Sequence, residues 1–474
     1  MEFYNPVINE ELNTPVREET DVIVVGGGTA GVIAAIAAAR SGAGTILVEQ
    51  GNVPGGVLLG GGIKWMSFFN AYLAHGVEKK QCVAGIGQEL VDIMKAEGHS
   101  PGHVEEAIDF GHESVGTQVD RELLINALLQ ILEREGVKLY LSTMFCDVVK
   151  DGRQVRGVII QSKSGREALL AKAVIDCTGD GDVAARAGVP YTDMPERLGI
   201  GLMFGMGNVD LNRTIAYGEG KGINSHLGYG EKGSDSDKVC WLAIDLVKDP
   251  VFKDFMEQNS VWGPYIVSTH EGEATYINGV STPALRDAVK NGRFARNPYI
   301  NAVSADELTE AQLFLRERVF RFAAMLKDKL PGFENSYVNW TAPSMGVRST
   351  RCVECEYDIT DEHVINCLIP EDTIGIFGGN DSNYYGSTIK GGRWFGIPYR
   401  AIVPRHIDGL LVAGRMITRD FVAHMSTRLV GSCFIQGQAA GTAAAMSAAS
   451  GVAVRDVDIS ALRRRLEADG VVLS

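Results

Sequence analysis

The first hydrophobic run, Val22-Ile-Val-Val25, is continuous, and Asp21 precedes it while glycines follow. Such a run predicts a strand buried on both faces. The Ala-rich stretch from Thr29 to Arg40 predicts a helix, and Thr45-Ile-Leu-Val48 a second buried strand. Phe145 to Lys150 and Val155 to Ile160, separated by Asp151-Gly152, predict a hairpin. Ala173-Val-Ile and Leu410-Leu-Val add strands, Glu310 to Lys329 a helix, and Gln436 to Ala449 a small-residue helix. Strands alternating with helices place the chain in the α/β class. Trp65, Phe68, Phe69, Tyr72 and His75 fall at helical spacing; they read as core, with a wall beside a ligand as the alternative.

Val22 to Ala39 is a stretch of eighteen residues without a charge, yet it holds glycines at 26, 27 and 28. Strand, turn and helix explain it better than a membrane span. Composition narrows the picture further. Glycine is high, 56 of 474 residues, with only 15 prolines, so these glycines serve turns and close backbone approaches and not a collagen-like repeat. The net charge is −14, and no basic block is present, which excludes nucleic acid as an expected partner. Eight cysteines lie scattered, and Met1 to Thr20 carry no apolar core; both features lead us to expect a cytoplasmic protein with reduced thiols.

The chemistry begins at Gly26-Gly-Gly28-Thr29-Ala30-Gly31, a G-x-G-x-x-G between a predicted strand and a predicted helix. Gly26 permits the turn, Gly28 lets a pyrophosphate approach the backbone, and Gly31 lets helix and strand pack closely. Amides at Thr29 and Ala30 open the helix and face the phosphates. Glu49, with Gln50 beside it, ends the second strand where an acid accepts hydrogen bonds from a ribose. A second glycine-rich loop follows, including Gly55 and Gly56, and suits a cofactor that extends past its pyrophosphate.

With that loop, the sequence resembles the FAD-dependent oxidoreductases of the glutathione-reductase and succinate-dehydrogenase superfamily. The hairpin beginning at Phe145 resembles the one that holds adenine there. Ala173-Val-Ile-Asp-Cys-Thr178-Gly179-Asp180 resembles the second flavin fingerprint, and Gly409 to Gly414-Arg415 the strand that returns to the flavin. Gly396-Ile-Pro-Tyr, Gly346-Val-Arg-Ser-Thr-Arg351, Pro331-Gly-Phe-Glu-Asn335 and Gln436-Gly-Gln-Ala-Ala-Gly441 extend the likeness over nearly the whole chain. The resemblance implies a Rossmann-like FAD-binding domain of glutathione-reductase type, from 1–195 and 385–474. An α+β substrate-binding cap at 196–384 is inserted into it. No second G-x-G-x-x-G is present, so a built-in nicotinamide domain is not expected. Neither cysteine nor histidine lies between Glu49 and Gly62, so non-covalent FAD is expected.

His424 and Arg428 repeat the His-x-x-x-Arg spacing that binds a substrate carboxylate in succinate dehydrogenase relatives, although Met425-Ser-Thr427 between them departs from that family. Guanidinium grips a carboxylate with two donors, and imidazole adds a donor or carries a proton. Arg351 is a further catalytic candidate, with a structural ion pair as its alternative. Cys352-x-x-Cys355 lies on a predicted strand, where positions three apart face opposite ways, so no metal site is expected. These features imply a dehydrogenase taking hydride from a small substrate with an anionic or strongly polar group. A fumarate-reductase-like ene-reductase fed by a separate donor, or a flavin-bearing electron-transfer subunit, stays open, as does a homo-oligomer.

Overall fold

Uninterrupted apolar runs need cover on both sides, and this sequence meets that need with a parallel sheet wrapped by small-residue helices. The computed structural model describes residues 8–72, 75–105, 114–194, 199–229, 240–244, 246–259, 265–268, 270–277, 280, 300–380 and 389–474. The domain boundaries expected at 195/196 and 384/385 lie outside the described residues.

The main sheet has seven strands: β1 (Val16–Val25), β2 (Thr45–Val48), β3 (Lys138–Tyr140), β4 (Met144–Asp151), β5 (Gln154–Ser162), β6 (Gly165–Asp176) and β7 (Leu410–Val412). Their order is β3-β2-β1-β6-β5-β4, with β7 also on β6. β3, β2, β1, β6 and β7 pair in parallel, whereas β4, β5 and β6 form an antiparallel meander. The long β6 serves both parts. Leu169 and Leu170 pair with β5, and Val174 to Asp176 pair with Leu410 to Val412. The predicted hairpin is β4–β5, turning at Asp151 and Gln154 around Gly152 in the left-handed region.

Helix α1 (Thr29–Arg40) covers the sheet and crosses α4 (Val430–Ser450), the most extensive helix pair in the fold. α4 begins six residues before the expected Gln436, because the apolar run from Val430 is buried as well. Gly437 and Gly441 sit one turn apart on it, and a Cβ at either would drive into the carbonyl oxygen of Ala30 or Ala34. Glycine therefore sets how closely the two backbones approach.

A second sheet is antiparallel and six-stranded, in the order 224–229, 240–244, 265–268, 273–277, 204–207 and 337–341. It packs on α2 (Ala305–Lys329), which starts five residues earlier than expected because Ser304 caps the Glu307 amide. Ala311, Phe314, Leu315, Phe322 and Leu326 recur at helical spacing and are buried with Phe204, Leu242 and Ile266. Burying each large side chain contributes about 1.5–3 kcal/mol. The two hydrophobic cores have no residue in common.

The aromatic cluster after the glycine loop corrects the helical expectation: Trp65–Ser67 is a strand paired with Val115–Gln118. Phe68 is buried against Phe434, and buried Tyr72 donates to Glu105, so these two rings are core, whereas Trp65 and Phe69 are half-buried and His75 is exposed.

Candidate functional site

The site is assembled at the carboxyl ends of β1, β2, β6 and β7. Gly26 adopts φ +93°, and its N–H donates to Val48 O at 2.8 Å, tying the ends of β1 and β2 together. A Cβ there would lie 2.5 Å from Cys177 O, and one on Gly31 would strike Gly26 O. Both positions thus exclude side chains through packing within the protein. Gly28 is different. Its φ is −74°, and a Cβ would have nothing nearer than 3.9 Å, with Cys177 O on one side and Gly56 Cα on the other.

The second glycine loop closes against the first. Gly55 N–H donates to Gly27 O at 2.7 Å, and a Cβ on Gly56 would lie 2.6 Å from Gly28 Cα. Thr29 and Ala30 open α1, and no side chain caps that helix. Glu49 is buried; its carboxylate accepts from Gly27 N–H at 2.6 Å and Gly51 N–H at 2.5 Å. Gln50 is exposed beside it. Thr143 N–H donates to Glu49 O at 3.0 Å and Ser142 N–H to Gly51 O at 2.7 Å, which brings the entry to β4, just ahead of Phe145, to the same corner.

The loop after β6 is held by an acid that sequence reasoning missed. Asp176 is fully buried and accepts from Thr178 N–H (3.0 Å), Thr178 Oγ1 (2.7 Å) and Ala184 N–H (2.9 Å). Burial pushes its carboxyl up to about 6, against the pull of those donors. The signal was available, an Asp ending an apolar strand, yet position alone does not say which donors it meets. Gly179 then runs under the Arg415 guanidinium, and Arg415 pairs with Asp180. Gly414 N–H donates to Gln436 Oε1 at 2.7 Å, while Gln436 Nε2 donates to Thr427 O at 2.9 Å, so this side chain fixes the β7 turn to the junction before α4. Gln436 also was not singled out as a positioning group.

His424 lies on α3 (Phe421–Thr427), and Arg428 follows as its C-cap. His424 is only 3% exposed, with Nε2 at 2.9 Å from Arg348 O. A carbonyl accepts only, so Nε2 carries the proton and Nδ1 keeps its lone pair. Nδ1 is buried without a hydrogen-bond partner of ordinary geometry. Burial, then Arg428 and Arg415, push the imidazolium down to about 3. The ring is therefore neutral at ordinary pH, with its one N–H directed at the Arg348 carbonyl. Gln436 joins Gly414 N–H to Thr427 O, and Cys433 Sγ donates to Arg428 O at 3.5 Å, so the turn at Arg415 and the His424–Arg428 segment adjoin.

Arg351 stands apart. Its guanidinium pairs with Asp182 at 2.8 Å, donates to Asp180 O at 3.0 Å and stacks over Tyr191. These contacts anchor the Asp180 loop, which favours the ion-pair alternative over catalysis. Cys352 and Cys355 are free, buried thiols, pushed upward by burial, Cys352 to about 12, and so are inert.

The cradle fits FAD by its own geometry. Only Gly28 offers open space where neighbouring glycines are closed by protein, the α1 amides lack a capping side chain, and Arg415 Nε is buried without a hydrogen-bond partner. No helix among the described residues is long and apolar enough to cross a membrane.

Solved structures similar to this chain include a geranylgeranyl bacteriochlorophyll reductase-like protein from Thermoplasma acidophilum (14% identity, 95% of this chain and 83% of that one, TM-score 0.43). A flavin-dependent brominase (13%, 95% and 84%, 0.45) and p-nitrophenol 4-monooxygenase from Pseudomonas putida (11%, 95% and 84%, 0.42) are others. At these scores they are likenesses and carry no argument about activity. The family profile for FAD-dependent oxidoreductases matches residues 21–466, which is nearly the whole chain and includes both glycine loops, the Asp180 turn and the His424 helix. The protein is therefore a flavoenzyme with FAD as its cofactor, a member of the FAD-dependent oxidoreductase family.

Proposed function

We propose that the protein is a dehydrogenase, related to the succinate dehydrogenase flavoproteins, that transfers hydride from a C–H bond of a small polar substrate to flavin N5. The observation that supports this reading is the placement of buried His424 and its C-cap Arg428 beside the β7 turn, where Gln436 joins Gly414 N–H to Thr427 O. FAD, when bound, supplies the two-electron acceptor. The rest falls to this chain. Gly28 and the amides of Thr29 and Ala30 would hold the pyrophosphate without a covalent link, Glu49 would orient the ribose, and the segment at Phe145 would border the adenine. The loop from Thr178 to Asp180 and the turn at Gly414 would border the ring, with Arg415 held in place by Asp180.

Arg428 would grip an anionic or strongly polar group of the substrate. His424 Nδ1 would accept a hydrogen bond from a substrate O–H or N–H, since the Arg348 carbonyl fixes the other nitrogen as donor. The second sheet, with α2, would act as the cap that selects the substrate. Supporting that arrangement, Ser344 N–H donates to Gly60 O at 3.1 Å, and Trp340 packs where a Gly62 side chain would go. The test is anaerobic addition of a panel of hydroxy acids, amines and sugars to the holoprotein. Rapid bleaching of the flavin by one class supports the reading. Reoxidation of chemically reduced flavin by an activated alkene, with no member of the panel bleaching it, overturns the assigned direction.

A further inference from the structure

Away from that site, two histidines and an aspartate from three distant parts of the chain converge. His99 follows the helix Ile86–Ala96, Asp120 caps the helix Arg121–Arg134, and His270 lies in the turn between the strands Tyr265–Ser268 and Glu273–Ile277 of the second sheet. His99 Nδ1 is 2.9 Å and His270 Nε2 3.3 Å from the same Asp120 Oδ2, and one ligand atom from each residue lies within 4.8 Å of the others. The imidazole rings meet edge to face, 5.6 Å between centroids.

We propose that His99, Asp120 and His270 bind a divalent transition-metal ion, zinc by preference, which ties the second sheet to the FAD-binding sheet. Two imidazoles with a carboxylate form a donor set that suits zinc. Tetrahedral zinc with bonds of about 2.1 Å separates its ligand atoms by roughly 3.4 Å, and two of the spacings here already lie near that value. The surroundings are built for ligation. The Asp120 side chain is 5% exposed, and its Oδ1 accepts from Leu123 N–H at 2.9 Å, which fixes the carboxylate and leaves Oδ2 facing the histidines. Glu273 Oε2 lies 3.8 Å from His270 Nδ1, on the side away from Asp120, the position from which a carboxylate steadies a metal-binding imidazole. His270 is exposed, so the fourth position opens to solvent, where water completes the shell. No motif in the sequence announces the trio, because its members are far apart in the chain.

The site sits between the two cores, so metal bound only by the folded form stabilises the docked arrangement. The experiment starts from full-length holoprotein stripped with a chelator, dialysed and titrated with zinc against a chromophoric chelator. One equivalent of zinc is expected, with a rise in melting temperature that chelator reverses. Asp120→Asn, which keeps the helix cap, and His270→Gln should each weaken zinc roughly 100-fold or more while FAD content stays at the wild-type level. Zinc K-edge absorption of the wild-type protein should show nitrogen and oxygen neighbours only, a readout that stands even if a variant fails to fold. Sulfur neighbours would place the metal on thiols and overturn the proposal. So would undiminished zinc binding in folded His270→Gln. Absence of an equivalent of tight zinc in the wild-type titration would mean that the trio is a hydrogen-bonded imidazole–carboxylate clasp.

Discussion

The glycine cradle and the cluster around His424 lie at the same end of the main sheet but are made of different material. In the cradle, backbone meets backbone: Gly26 against Cys177, Gly31 against Gly26, Gly56 against Gly28, and on α4 Gly437 and Gly441 against α1. One methyl group decides whether such a contact exists. The cluster instead consists of long charged side chains whose partners come from 180, 348, 415 and 428, and each has rotamers and competing acceptors to choose among. A backbone contact is specified locally by residue type, while a side-chain network is specified only once the whole fold is closed. The first kind of region should fail by unfolding or losing cofactor, and the second by losing rate or pH tolerance.

That contrast can be broken in order of severity. Gly441→Val should be the most damaging change, because its side chain meets Ala34 O with no room to move; overpacking of that kind costs about 1–3 kcal/mol or more. Little soluble protein, with a melting transition many degrees lower, is expected. Gly28→Val separates folding from binding. Nothing in the protein lies within 3.9 Å of its Cβ, so a normal melting profile of the apoprotein with nearly absent FAD is the expected result. Full FAD occupancy in that variant would show the cradle to be misread.

Arg428→Lys should retain FAD and folding but slow flavin reduction by roughly 100-fold, since charge survives and bidentate geometry does not. An unchanged rate removes Arg428 from the substrate. The pH dependence should be gentler. His424 titrates near 3 when folded and about 6.5 when unfolded, so only the unfolded chain gains its proton as pH falls. Its contribution to stability is complete above about 6.5 and is lost as pH falls toward 3, on the order of 2 kcal/mol by pH 5. Denaturant melts of wild type and His424→Gln should diverge in that window, the variant being less acid-sensitive; parallel curves would contradict the buried neutral ring. The smallest effect on chemistry belongs to Arg351→Lys. Its contacts are with Asp182 and the Asp180 carbonyl, so modest destabilisation with an unaltered reduction rate is expected.

The same contrast explains what could be read from the chain. Val22–Val25, Gly26–Gly31 and Thr45–Glu49 announce strand, turn, helix, strand and acid because local pattern and glycine geometry suffice. The small-residue helix is also legible, although the pattern points to a start at Gln436, since nothing at Leu429-Val430 marks a cap. Trp65 to Tyr72 mislead because aromatic spacing near three and four also arises when a strand runs into a loop. At the site, the spacing of His424 and Arg428 was visible, but the neutral state of His424 was not. It follows first from burial, which only the closed fold supplies, and then from the Arg428 and Arg415 guanidinium groups, against the pull of the Arg348 carbonyl. Arg351 stayed ambiguous for the same reason, because its partner is Asp182, 169 residues away.

The most direct test of the account is a crystal structure of the FAD-bound protein. The account predicts the pyrophosphate on the amides of Gly28, Thr29 and Ala30, and the reactive edge of the flavin facing Arg428 and His424. A flavin ring lying away from both side chains, with its pyrophosphate elsewhere than at Gly28, would contradict it.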